Sequence, residues 1–131
     1  MESKTLPVLL TAFLVLAWSC SAARKCTEIH VVNDLDLNDV LDVACSSKDD
    51  DLGGKHAIGS AKDFRWRFCE KDVVYDCILT WGPVSTLFHA FDAGDDATPR
   101  CGRVCSWVAK PDGIYFSDTF PPKSLNLTHS W

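Results

Sequence analysis

Side chains able to do acid–base or nucleophilic chemistry are few and scattered. Beyond residue 23 the histidines are His30, His56, His89 and His129, and no Gly-x-Ser-x-Gly turn is present to expose an activated serine. His30 alternates with Ile29 and Val31, which turns it toward solvent. His89 lies in an apolar strand and reads as a packed or hydrogen-bonded side chain rather than a general base. Glycoside hydrolysis needs two placed carboxylates, but the 15 aspartates are spread wherever the chain turns, a role aspartate favours anyway. The run Ser47-Lys48-Asp49-Asp50-Asp51-Leu52-Gly53 could hold calcium. Counting an EF-hand loop from Asp49 puts Gly54 sixth, as required, but Ser60 twelfth, where the loop needs glutamate. The run is therefore read as an Asp-rich turn bonded to its own backbone and to Ser47. No catalytic residue, cofactor or metal site is expected.

The cysteines have a different chemistry in view. Of seven, Cys20 falls in a leader, leaving Cys26, Cys45, Cys69, Cys77, Cys101 and Cys105. An even set in a short secreted chain reads as a disulfide framework whose pairing the spacing leaves open. Zinc fits poorly, because Cys101 and Cys105 have no second close pair to complete a tetrahedron. The leader has a basic start at Lys4, an uncharged apolar run from Leu6 to Trp18, and small residues Ser21-Ala22-Ala23 at a cut. That is the pattern of a secretory signal peptide over residues 1–23; the run falls short of the about 20 apolar residues that span a bilayer. A secreted, extracellular protein is expected, with Asn126-Leu127-Thr128 as an N-glycosylation sequon at Asn126.

A net charge of −5 with pI near 5.2 excludes nucleic acid as the main partner, since phosphate binding needs a basic stripe. A polybasic membrane-surface site is excluded on the same ground. The mature chain is expected to be a monomer that inserts in no membrane.

The elements that must position these residues are strands. Helical apolar periodicity is lacking, whereas alternation recurs: Ile29 and Val31, then Leu41, Val43 and Cys45. It continues in Phe64, Trp66 and Phe68 between Arg65 and Arg67, in Tyr75 to Trp81, Leu87 to Phe91, Val104 to Ala109, and Ile114 to Phe116. Turn chemistry separates them, most clearly Lys110-Pro111-Asp112-Gly113, which suits a hairpin with glycine in the left-handed region. About eight short strands indicate a small all-β, antiparallel β-sandwich stabilised by disulfides. Its inward set is expected to be Leu41, Val43, Phe64, Trp66, Phe68, Tyr75, Cys77, Leu79, Trp107 and Ile114. The sandwich is expected over residues 24–120, with 121–131, after Pro121-Pro122, as an exposed tail. Recognition is expected in the loop Asp92–Arg103, polar and of mixed charge, through Asp92, Asp95, Asp96 and Arg100.

Several strings together resemble a known family. Val32-Asn33-Asp34-Leu35, Cys45 through Gly53, Phe64-Arg65-Trp66-Arg67-Phe68, Tyr75-Asp76-Cys77 with Trp81, Cys105-Ser106-Trp107 and Asp112-Gly113-Ile114-Tyr115 resemble the plant self-incompatibility S-protein homologues in order and spacing. The resemblance implies a small secreted β-sandwich with four typical cysteines, here Cys45, Cys77, Cys101 and Cys105. Departures are Ala44 where a histidine is usual, and Val73-Val74 in place of a threonine-containing approach to the second cysteine. Within the family set, Cys45–Cys105 and Cys77–Cys101 are the expected bridges, with Cys26–Cys69 as an additional one. The resemblance also implies a signalling or recognition ligand acting on a cell-surface receptor, as stigma-secreted determinants act on pollen. It gives no ribonuclease activity, since the paired histidine motifs of that other self-incompatibility group are missing. A defence protein or inhibitor is the alternative, and a wall-acting hydrolase the more remote one.

Overall fold

The computed structural model describes residues 25–131; the leader expected over residues 1–23 lies outside them. Nine strands form among the described residues: β1 Thr27–Asn33, β2 Leu41–Ser46, β3 Lys55–Ile58, β4 Asp63–Phe68, β5 Val74–Trp81, β6 Val84–Asp92, β7 Val104–Lys110, β8 Gly113–Ser117 and β9 Asn126–His129. They make two sheets, one in the order β4-β1-β7-β8-β9 and the other β3-β2-β5-β6. All pairings are antiparallel except β1 with β7, which run parallel. The antiparallel expectation is corrected at that one place: a parallel neighbour needs a crossover, and here it is supplied by the whole second sheet, which lies between β1 and β7 in sequence.

Alternation sorts the side chains as the pleat requires. Leu41, Val43, Trp66, Phe68, Tyr75, Cys77, Leu79, Trp107 and Ile114 are buried between the sheets, joined by Ile29, Val31, Phe88 and Phe116. Phe64 faces inward as expected, opposite Val31, but is less covered than the rest. It is half-buried at the rim of the core, stacked on the His56 ring at 4.4 Å.

Two departures come from the last twenty residues. His30 does face away from the core, yet it is 2% exposed, because the segment after β8 folds across the outer face of its sheet. Phe120 stacks on the His30 ring at 3.8 Å, the Ser106 hydroxyl donates to the Thr119 carbonyl, and the Ser117 hydroxyl donates to the Lys123 carbonyl. Under this strap the two His30 ring nitrogens lie 2.7 Å from Asp63 and 2.8 Å from Glu28. Burial alone would push the Asp63 carboxyl up, but hydrogen bonds from His30 and Arg65, with their charges, outweigh it and hold the pKa below its ordinary value.

The second departure is the expected tail. Residues 126–129 are a strand paired with β8, the Thr128 hydroxyl donates to the Ile114 carbonyl, and the Trp131 indole donates to the Lys110 carbonyl at 2.7 Å. The domain therefore continues through residue 131. Closure of β9 also explains Gly113, whose φ of 149° lies outside the left-handed helical region expected for the turn. A Cβ there would lie 2.5 Å from the His129 carbonyl oxygen, so the glycine serves close approach of β9.

Candidate recognition surface at the cystine end

The two ends of the sandwich differ in how their loops are held. At one end, Asn33 is fully buried; its amide donates to the Asp39 and Ile58 carbonyls and its oxygen accepts from the Leu35 N–H. The Trp81 indole donates to Asp39 beside it. Buried polar bonds of this kind fix loops into the fold.

At the other end lie the loops 47–54, 69–73 and 92–103, and here the three disulfides among the described residues gather. Cys26–Cys69 joins the chain before β1 to the end of β4, Cys45–Cys77 crosses directly between paired positions of β2 and β5, and Cys101–Cys105 closes the approach to β7. The expected Cys26–Cys69 bridge is present. The expected Cys45–Cys105 and Cys77–Cys101 bridges are not: Cys45 and Cys105 sit in different sheets, whereas Cys45 and Cys77 face each other across one ladder with Cα atoms 4.0 Å apart, within reach of a bridge. The backbone beneath this end is thus tied while the loops above it are polar.

Two of these loops are shaped by their aspartates. In the first, the Leu52 N–H donates to the Asp50 carboxylate, the Gly53 N–H to that of Asp51, and the Ser47 N–H to the Asp50 carbonyl, as the turn reading of this run expected. His56 Nε2–H donates to the Leu52 carbonyl from below. In the loop 92–103, the Gly94 N–H donates to Asp92, and both the Ala97 N–H and the buried Thr98 hydroxyl donate to Asp95. Those bonds, the Ala97 amide first and Thr98 second, hold the Asp95 pKa below its ordinary value. Asp92 and Asp95 thereby build the loop, while Asp96 and Arg100 remain on its exposed surface, 3.4 Å apart. Sequence reasoning put all four together as contact residues without seeing this division.

Between the first two loops lies an open cleft of about 790 Å³, walled by Ser46–Asp50 and by Glu70 and Asp72–Asp76. Asp49, Asp50, Glu70, Asp72 and Asp76 make it acidic, with Lys48 the cation among its lining residues. Tyr75 forms its floor; burial first, then the Asp50 and Glu70 charges, push its phenol up. Sequence reasoning missed this cleft because its two walls are far apart in the chain. His89 is exposed rather than packed and, as the other half of its reading expected, hydrogen-bonded: it pairs with Asp76 across the β5–β6 ladder. That bond, aided by the charges of Asp76, Asp92 and Asp95, pushes the His89 pKa up. Among the described residues, no three of His, Cys, Asp or Glu converge as a metal ion would require.

The model for plant self-incompatibility protein S1 matches residues 28–131 of this chain. The chain belongs to that family. Among its S-protein homologue relatives, S-protein homolog 30 of Arabidopsis thaliana is 35% identical over 104 residues, which span 72% of this chain and 80% of that protein. S-protein homolog 8 of the same plant is 31% identical over 128 residues, 94% of each chain. The fold is shared as well. A solved self-incompatibility protein homologue, described as one of a widespread family of small, highly stable, secreted plant proteins, superposes with a TM-score of 0.60 at 25% identity, over 83% of this chain and 99% of that one. The family match runs to Trp131, which agrees with β9 as an integral strand of the S-protein domain. Asn33, Gly113 and the pair Cys45 and Cys77, all in strings that carried the resemblance, prove to be residues that close the fold.

Proposed function

We propose that this S-protein homologue is a secreted, non-enzymatic recognition ligand that binds a cell-surface protein through its cystine end. The observation that carries the reading is the convergence of all three disulfides beneath the loops 47–54, 69–73 and 92–103. Tying a polar loop at its base lowers the entropy lost when a partner immobilises it, and functional contacts tend to sit on loops held by a rigid scaffold. Among the described residues, the other end of the sandwich has no such ties and uses its polar groups to close itself. Secretion is supported by the apolar leader sequence and by the oxidised cysteines, which persist outside the cytosol.

Side-chain commitments support binding over catalysis. His30 is buried under Phe120, His56 is stacked on Phe64, and His129 packs near Phe88; His89 is exposed, and its ring is bonded to the Asp76 carboxylate rather than to a nucleophile. Within the surface, Asp96 and Arg100 are the contact residues on the loop 92–103, with Asp92 and Asp95 holding its shape.

The test is saturable binding of the oxidised, tagged domain to membranes from the source plant. Asp96→Ala with Arg100→Ala leaves stability within about 0.5 kcal/mol, as exposed substitutions usually do, and abolishes binding. Undiminished binding by that folded double variant would remove the loop from the surface, and no saturable binding of the native domain would remove the receptor reading. A protease-inhibition or pathogen-growth effect without membrane binding would favour the defence alternative.

A further inference from the structure

We propose that two copies of this chain pair through strand β6, antiparallel and centred on Leu87, in place of the monomer expected from the sequence. An edge strand offers unpaired N–H and C=O groups to any neighbour, and folds blunt such edges with cations, brevity or irregular register. Three of the four edges here are blunted. β4 exposes Arg65 and Arg67, β3 has four residues and exposes Lys55, and β9 has four residues with a register shift opposite β8. By contrast β6 has nine residues, Val84–Asp92, with no lysine, arginine, proline or glycine among them. Its one irregularity, opposite Tyr75 and Asp76, leaves Val84 to His89 in regular register with β5.

Backbone direction along this edge follows from the hairpin. Trp81 and Val84 pair around the two-residue turn Gly82-Pro83, so they are a hydrogen-bonded pair, and bonded and unbonded pairs then alternate along the ladder. The pairs Thr80–Ser85, Ile78–Leu87 and Asp76–His89 are the unbonded ones. The N–H and C=O groups of Ser85, Leu87 and His89 therefore point away from β5, and among the described residues no turn or loop backbone takes them.

Side chains of the same three residues face outward from the sandwich. Ala44, Ile78 and Leu87 are neighbours across β2, β5 and β6. They form an apolar row that crosses the outer face and ends at the free edge, with Ile78 46% and Leu87 65% exposed. A two-fold axis at Leu87 makes this edge complementary to itself. Leu87 then exchanges both hydrogen bonds with the partner's Leu87, and Ser85 does so with the partner's His89. The apolar row runs on into its copy, which covers both leucines. His89, already paired with Asp76, meets a serine rather than a like charge. A second copy thus supplies what the edge lacks, outward-pointing groups at the same spacing and an apolar row in line with this one, and such an isologous contact closes at two chains. Where the cystine end binds a receptor the pair is bivalent, but pairing itself needs no receptor.

Sedimentation equilibrium of the purified, oxidised protein over a range of concentrations tests the pairing. The mass doubles with rising concentration in the wild type and stays that of one chain in Leu87→Lys, whose exposed position leaves the far-ultraviolet spectrum and the disulfides unchanged. Covalent trapping reports the register. In a hydrogen-bonded antiparallel pair the two Cα atoms at position 87 lie about 5.5 Å apart, within reach of a bridge. Leu87→Cys therefore yields a covalent dimer on non-reducing gels, whereas Ser85→Cys, which faces position 89, does not. A single-chain mass for the wild type at every concentration overturns the proposal, as does a dimer that Leu87→Lys leaves intact or one that only Ser85→Cys traps. Masses beyond two chains place association at another edge and overturn it as well.

Discussion

Two buried tryptophans should respond oppositely to the same substitution. Trp107 is fully buried on β7 and its indole N–H crosses to the Ala90 carbonyl on β6 at 3.1 Å, a bond between the two sheets. Trp66 on β4 is 9% exposed, packed against Phe64 and Tyr75, and its indole N–H finds no acceptor among the described residues. Trp→Phe removes the same ring area at both sites, so the transfer and cavity costs are similar. At Trp107 the change also leaves the Ala90 carbonyl unpaired, a further loss of roughly 1–3 kcal/mol. At Trp66 it deletes a donor stripped of water without a partner, which returns about as much. Trp107→Phe is then expected to be less stable than Trp66→Phe by at least about 2 kcal/mol, or on the order of 10 °C in melting temperature for a domain of this size. Urea melts of both variants with disulfides intact measure the gap; equal losses, or the larger loss at Trp66, would refute the assignment. Trp66→Ala, which empties the site, should still cost roughly 3–5 kcal/mol.

Gly113→Ala should loosen β9, because the new Cβ meets backbone that cannot yield; a loss of roughly 1–3 kcal/mol with faster amide exchange at Thr128 is expected, and unchanged exchange would count against the close approach. In the chain-entropy model, opening Cys26–Cys69, which spans 43 residues, costs about 4 kcal/mol, and opening Cys101–Cys105, which spans 4, about 2 kcal/mol; paired Cys→Ser melts read the order, and non-reduced peptide maps read the pairing. The Asp63 pKa is lowered in the fold, so its contribution holds above the ordinary carboxylate pKa and is lost as pH falls through the lowered value; Asp63→Asn should flatten the acid side of a stability–pH curve relative to wild type. The His89 pKa is raised, so its contribution is full below the ordinary histidine value and is lost as pH rises through the raised one. His129 is lowered by burial and titrates with the opposite sign, so the His89 effect is read as the difference between wild type and His89→Gln. An unchanged slope above neutrality in that variant would dismiss the pair.

What the chain discloses locally and what it withholds follow from the range of the interactions. Period-two alternation is a property of adjacent residues, so the inward faces of β2, β5 and β7 and the Asp50 and Asp51 turn bonds were legible. His30 shows the limit of that logic. Its parity correctly points it away from the core, but whether the outer face meets water depends on Phe120, ninety residues later. The misread tail has the same origin: Pro121-Pro122 ends β8's run, and nothing nearby announces that the chain returns to pair with β8. One signal was present: Trp131 is a large aromatic in what was taken for a solvated segment. Disulfide pairing is likewise beyond local pattern: Cys45 and Cys105 are both strand residues, but in different sheets, and Cys45 meets Cys77 across one ladder.

The same distinction between near and distant interactions bears on where function sits. Residues that define the family strings, Asn33, Gly113, Cys45 and Cys77, are spent on closing loops, seating β9 and joining β2 to β5. Family likeness in this fold is thus largely a record of how the sandwich is held together, and it says little about a partner. Asp96 and Arg100 are exposed and leave the loop's turn bonds to Asp92 and Asp95. They are free to change without unfolding the domain, which is the freedom a recognition surface needs if one scaffold is to serve different partners. A construction that concentrates its cross-links directly beneath its most freely substitutable residues is suited to holding varied loops in fixed positions. Swapping the segment 92–100 from a relative into this scaffold is therefore expected to transfer binding with little change in stability. Unchanged binding after the swap, in a domain that still melts normally, would place specificity in the acidic cleft instead.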